Sequence, residues 1–147
     1  MGIERLNAYS AAPAAMQSVR QVEAYIQQCG LEKSLIELVK MRASQINGCA
    51  TGIARTRGEG ETEQRLYLLN AWHESPLYSE RERAALAWTE ALTLVAKTHA
   101  PDGAYDTVRR HFADKKLVDP STLIGLINLW HRLAIGFRSQ HPVERTQ

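Results

Sequence analysis

A cysteine stands where a helix is expected to begin. Cys49 follows Asn47 and Gly48, a pair typical of the end of one helix and the turn into the next. The first N–H groups of a helix have no partner within it, and the helix dipole makes that end positive. Both effects favour the thiolate, which is the nucleophilic form of cysteine. Cys49 is therefore a candidate nucleophile, although a lone cysteine is more often a small buried hydrophobe.

Two other residues are weighed as partners for this thiol. Glu37 lies between the apolar residues Ile36 and Leu38, and partial burial there makes it a candidate for proton transfer. The other cysteine, Cys29, lies at the end of the predicted first helix, and nothing local directs it toward Cys49. We interpret Cys29 as a structural cysteine at a helix end.

The histidines are less informative. They are His73, His99, His111, His131 and His141. None has the spacing to another ligand type that a zinc-binding helix requires. We interpret His131, which follows a tryptophan on an apolar helix, as structural or interfacial. No glycine-rich phosphate loop is recognisable, so we expect neither a metal nor a cofactor.

Length and composition limit the class of protein. The 147 residues suit one domain over 1–147, with 44% hydrophobic and 23% charged residues. A net charge of +2 implies no broad basic face for nucleic acid and no polybasic membrane anchor. No apolar run is long enough for a membrane span or a signal peptide. Two cysteines cannot form a multi-bridge secreted scaffold, so we expect a soluble cytoplasmic protein with reduced thiols.

Helical periodicity dominates the chain, and strand signals are scarce. The fold class predicted is all-α, with about six to seven helices. The helices are predicted at 14–28, 31–46, a short stretch after Cys49, 61–72, 80–98, 105–112 and 120–137. Ser79 and Glu82 form a capping box, and Asp119 followed by Pro120 predicts the start of the last helix. That helix is apolar on more than one face, so we expect it to be deeply buried or to contact another subunit.

Four runs of residues carry a family resemblance. They are SLIELVKMRASQINGCA at 34–50, GETEQRL at 60–66, ERERAALAWTEALT at 80–93 and INLWHRLA at 127–134. On these runs the sequence resembles the carboxymuconolactone decarboxylase superfamily, and more closely its AhpD-like branch of alkylhydroperoxidase-type proteins. The matches span most of the chain from about residue 13 to residue 137.

The resemblance implies a function and a set of site residues. It implies an all-α subunit that assembles into homotrimers or homohexamers and reduces peroxides with a thiol or dithiol reductant. The active form carries Cys-x-x-Cys-x-x-x-His after the Asn-Gly pair. Cys49 matches the first cysteine, and Glu37 matches a proton-relay glutamate twelve residues earlier. We therefore expect an antioxidant, thiol-dependent peroxidase.

The chain departs from that pattern directly after Cys49. Gly52 stands at the position of the second cysteine and Thr56 at that of the histidine. The simplest alignment removes the stretch containing both, between Ala50 and Thr51. A sulfenic acid formed on Cys49 would then need an external thiol for its recycling. Two alternatives remain open: a lactone decarboxylase like that of the decarboxylase branch, and a catalytically inactive oligomeric homologue.

Overall fold

The computed structural model describes residues 2–56, 58 and 60–143, and these ranges contain helices but no strand. The elements are α1 (Ala8–Ala11), α2 (Pro13–Gln28), α3 (Lys33–Asn47), α4 (Ala50–Arg55), α5 (Glu63–Tyr67), a 3₁₀ turn (Leu69–Ala71), α6 (Glu80–Thr93), α7 (Val95–Thr98), α8 (Asp102–Arg109) and α9 (Lys115–Phe137). The all-α prediction is confirmed. The described helices outnumber the six to seven expected, because short helical turns such as α1 and α7 have no strong periodicity of their own.

The helix α3 lies at the centre of the fold and packs against both α6 and α9. Its buried residues point in nearly every direction around its axis, as a central helix requires. Apolar side chains from these three helices, with α2 and α8, form the main core: Ile26, Leu35, Ile36, Val39, Ala85, Trp88, Val108, Leu123 and Ile124 are among its members. The central helix carries Glu37, and Cys49 follows shortly after its last residue.

The last helix begins earlier than the sequence predicts. It starts at Lys115, and Pro120 lies inside it, so the prediction of a helix start at Asp119 and Pro120 is wrong. The Asp119 carboxylate is not a cap: it accepts hydrogen bonds from the Tyr25 hydroxyl (2.6 Å) and Lys115 Nζ (2.5 Å). Burial raises the pKa of Asp119, but these two hydrogen bonds outweigh it and hold that pKa below its usual range. The tie between Lys115 and Asp119 spans the turn that proline would otherwise weaken.

Other helix boundaries also differ from those predicted from the sequence. The capping box of Ser79 and Glu82 is present, but the predicted helix 80–98 breaks at Leu94 into α6 and α7. The predicted helix 61–72 divides into α5 and the 3₁₀ turn, and α8 begins directly after Pro101. Of the described helices, none is long and apolar enough to cross a membrane.

Candidate functional site

The thiol of Cys49 lies at the start of α4, as the sequence predicts. Gly48 ends α3 in the left-handed conformation (φ 62°), which turns the chain so that Cys49 becomes the residue preceding the next helix. Its Sγ accepts a hydrogen bond from the backbone N–H of Gly52 at 3.3 Å. The residue is 1% exposed. The local sequence thus places a buried sulfur on one N–H group, that of Gly52, in the first turn of α4.

The carboxylate of Glu37 is buried, and one of its oxygens has no partner within the part of the chain that the structure describes. Glu37 is 9% exposed, and its Oε2 atom is enclosed with no hydrogen bond to any described residue. A buried polar atom of this kind is costly, so it is found mainly where a function requires it. Glu37 and Cys49 both line one cavity of about 910 Å³. The fold therefore brings the two residues proposed from the sequence to the same cavity.

The walls of this cavity come from α1, α2, α3, α4 and α9. Within the wall, Glu23 accepts from Lys40 Nζ (2.8 Å) and from Trp130 Nε1 (2.9 Å), which ties α2 to α3 and α9. Tyr9 stacks on Trp130 with ring centroids 6.4 Å apart, and the Arg20 guanidinium lies 4.7 Å from the Tyr9 ring centre. The cavity lining accordingly contains aromatic and basic side chains together with the thiol of Cys49 and the carboxyl group of Glu37.

His131 lies in the same cavity lining, and both of its ring nitrogens are hydrogen-bonded to other side chains of the protein. It is 1% exposed, with Nε2 2.8 Å from Ser44 Oγ and Nδ1 2.8 Å from Asn47 Nδ2. Because an amide N–H can only donate, Nδ1 is the acceptor and Nε2 carries the proton. Ser44 Oγ in turn donates to the carbonyl oxygen of Lys40 at 2.8 Å. Burial, followed by the charge of Arg132, lowers the pKa of His131 to about 4.

The positions of the protons on His131 and Ser44 exclude this pair as a nucleophilic serine with its histidine base. His131 donates to Ser44, so it does not accept the serine proton as the base of a nucleophilic serine would. The imidazole is neutral at pH 7 and holds α9 against α3. The expectation of a structural histidine therefore agrees with the geometry.

Sequence reasoning missed the relation between His131 and Gly52. A Cβ atom placed on Gly52 would lie 2.9 Å from His131 Nε2 and 2.6 Å from Ser44 Oγ. The imidazole thus fills the space that a side chain at residue 52 would need. No sequence signal joins these residues, because they are far apart in the chain and meet only through packing of α4 on α9.

Cys29 lies apart from this site. It follows α2, and its thiol donates to the carbonyl oxygen of Ile26 at 3.1 Å. Cys29 is outside the cavity lining, and both cysteines are free thiols. Within residues 2–56, 58 and 60–143 no group of three His, Cys, Asp or Glu side chains is arranged to hold a metal ion.

Residues 10–91 match the profile of the Carboxymuconolactone decarboxylase family. The chain belongs to this family. The matched segment contains Glu37, Cys49 and most of α6. The chain is also similar in sequence to the uncharacterised protein YdfG of Bacillus subtilis (strain 168). The two are 40% identical over 137 residues, which cover 90% of this chain and 93% of YdfG.

Solved structures show the same fold for this carboxymuconolactone decarboxylase family member. ATU0492 of Agrobacterium tumefaciens, described as a protein of unknown function and a suggested antioxidant defence protein AhpD, has a TM-score of 0.91 at 47% identity, covering 97% of this chain and all of that one. This likeness supports the AhpD-like resemblance. The debrominase Bmp8 has a TM-score of 0.76 at 16% identity, and the match covers 89% of this chain and 73% of the Bmp8 chain. At this identity the likeness is one of fold alone.

Proposed function

We propose that the protein is a thiol-dependent peroxidase that uses a single cysteine, Cys49. The observation that carries this proposal is one cavity lined both by a thiol that accepts the Gly52 N–H and by the buried carboxylate of Glu37, whose Oε2 has no partner among the described residues. Family membership and the AhpD-like neighbour support the same chemistry. The cavity supplies the route by which a peroxide reaches a sulfur that the protein surface conceals.

The proposed first step is attack of the Cys49 thiolate on the outer oxygen of a peroxide. The S–O bond forms as the O–O bond breaks, so the sulfur is oxidised to sulfenic acid and the peroxide is reduced. The departing alkoxide or hydroxide takes up a proton, and the Glu37 carboxyl group is the proposed donor. The products are an alcohol or water and Cys49 as sulfenic acid. Return to the thiol consumes two thiol equivalents from outside the chain.

The test is peroxide consumption with dithiothreitol as reductant. We expect activity in the wild-type protein and in Cys29→Ser, and none in Cys49→Ser. Trapping with dimedone, which reacts with sulfenic acids, should label Cys49 alone. Equal consumption by the wild-type protein and Cys49→Ser would remove the proposal.

The two alternatives have less support from the site. A lactone decarboxylase needs a base in the pocket, and the histidine there, His131, has its Nδ1 occupied by Asn47 and a lowered pKa. An inactive homologue has no use for a buried carboxylate without a partner, because Glu37 costs stability.

We further propose that the protein acts as a homotrimer or homohexamer, since α9 leaves Val118, Leu129 and Ile135 exposed.

A further inference from the structure

The second half of the proposed cycle requires a thiol that this chain does not supply. Cys29 is the other cysteine of the sequence, and it lies outside the cavity with its thiol hydrogen-bonded to a carbonyl oxygen. Cys49 is 1% exposed, so a sulfenic acid on it can be attacked only from within the cavity. A sulfur on the surface of another protein cannot align with it there. The resolving thiol must therefore be small.

The size of the cavity agrees with such a molecule. Its volume of about 910 Å³ lies in the range of about 300–1,000 Å³ that pockets for small organic ligands occupy. A peroxide group alone would leave most of this space unfilled. Glu37, nine-tenths buried and with an Oε2 that has no partner among the described residues, belongs to the same lining.

The charges of the lining indicate what that molecule carries. Lys40 is neutralised by Glu23 at 2.8 Å. Arg20, stacked on Tyr9, and Arg55 in α4 are exposed residues of the same lining, and neither forms an ion pair with a described residue. Guanidinium groups bind carboxylates through paired hydrogen bonds. Two arginines without such partners, in the wall of one cavity, favour a ligand that bears a carboxylate.

The remaining carboxylates do not cancel this preference. Glu23 is engaged by Lys40 and Trp130. Glu37 is buried, whereas Glu4 is exposed and forms no ion pair with a described residue. Arg20 and Arg55 therefore outnumber Glu4 among the exposed, unpaired charges of the lining, which leaves a positive balance for an anion.

We propose that Cys49, once oxidised, is resolved by a small monothiol that carries a carboxylate and is held by Arg20. This inference rests on the proposed peroxidase function. The incoming thiolate sulfur attacks the sulfur of Cys49, an S–S bond forms, and the S–O bond breaks. The departing hydroxide takes a proton and leaves as water. A second molecule of the same thiol reduces the mixed disulfide, which restores Cys49 and releases the oxidised disulfide of the small thiol.

The experiment compares thiols of similar size and different charge on pre-oxidised protein. Cys29→Ser protein is treated with one equivalent of hydrogen peroxide and mixed with 3-mercaptopropionate (anionic), 2-mercaptoethanol (neutral) or cysteamine (cationic). Rates of mixed-disulfide formation are read by intact mass and compared at equal thiolate concentrations. We expect the anionic thiol to react several-fold faster than the cationic one. Equal rates, or a faster reaction with a reduced thioredoxin, would overturn the inference.

Variants of Arg20 test whether this residue causes the faster reaction of the anionic thiol. Arg20→Gln should bring the anionic-to-cationic ratio close to one, and Arg20→Lys should largely restore it. Arg110→Gln removes the same charge from an exposed position outside the lining and should keep the wild-type ratio. A ratio that Arg20→Gln leaves unchanged contradicts the proposed contact.

The same experiment separates this inference from the peroxidase proposal. If peroxide produces no dimedone adduct on Cys49, the peroxidase proposal fails. If the adduct forms but the three thiols react equally, the peroxidase proposal stands and only the preference for a carboxylate-bearing thiol is wrong.

Discussion

The imidazole of His131 lies against Gly52, in the space where a side chain at residue 52 would have to be. A Cβ atom on Gly52 would approach His131 Nε2 to 2.9 Å and Ser44 Oγ to 2.6 Å. Gly52 also provides the N–H that binds Cys49 Sγ. The position of the thiol is therefore coupled to α9 through a glycine that permits close contact.

The first prediction concerns Gly52→Ala. Alanine normally stabilises a helix relative to glycine by about 1 kcal/mol. Here the added methyl group meets the ordered Ser44–His131 pair, so we expect a loss of about 1–3 kcal/mol instead. Chemical denaturation followed by circular dichroism measures this change.

Gly125→Ala is the matched control for this prediction. Gly125 is also in a helix, α9, and nothing lies within 4 Å of a Cβ atom placed on it. We expect Gly125→Ala to be neutral or stabilising. If both substitutions stabilise the protein equally, the close contact at Gly52 has no energetic consequence.

The sequence predicted the part of the site that local signals encode. The Asn-Gly pair and the apolar period of α3 were sufficient to place Cys49 at a helix start and Glu37 on the preceding helix. The Ser44–His131–Asn47 cluster was not predictable, since its members lie on two helices that only tertiary packing brings together. The start of α9 was missed for the same reason: the hydroxyl of Tyr25, from α2, contributes to fixing Asp119 within the helix.

The second prediction is a pH dependence of stability set by His131. Burial lowers the pKa of His131 from 6.5 to about 4, so the unfolded chain binds more protons than the folded one between these values. The stabilisation is fully present above pH 6.5 and is lost as the pH falls toward 4. The expected loss from this residue is about 3 kcal/mol well below pH 4 and about 2 kcal/mol between pH 7 and pH 4.5. Denaturation curves at pH 7 and pH 4.5 should show it.

Two histidine variants test whether His131 causes the fall in stability with decreasing pH. His131→Gln should have a flatter dependence between pH 6.5 and 4 than the wild-type protein. His141→Gln removes an exposed histidine near the end of the described chain and should keep the wild-type slope. A slope unchanged in His131→Gln would assign the acid sensitivity to other groups.

The third prediction separates stability from activity at Glu37. Its enclosed Oε2 atom has no partner among the described residues. An unsatisfied buried polar group costs about 1–3 kcal/mol. Glu37→Met retains the length of the side chain without its polar atoms, so we expect a gain of about 1–2 kcal/mol in unfolding free energy. Peroxide consumption should fall in the same variant. Glu74→Met, at an exposed position, should change stability by less than about 0.5 kcal/mol.

The fourth prediction concerns the accessibility of the two cysteines. Cys29 is partly exposed, whereas Cys49 is buried and can be approached only through the cavity. A maleimide attached to a long polyethylene glycol chain should modify Cys29 and leave Cys49 unmodified in the folded protein. Iodoacetamide is small enough to pass through the cavity, so it should alkylate both. Peptide mass mapping distinguishes the sites. Rapid labelling of Cys49 by the polymer reagent would show that its sulfur is open to macromolecules, and the need for a small resolving thiol would disappear with it.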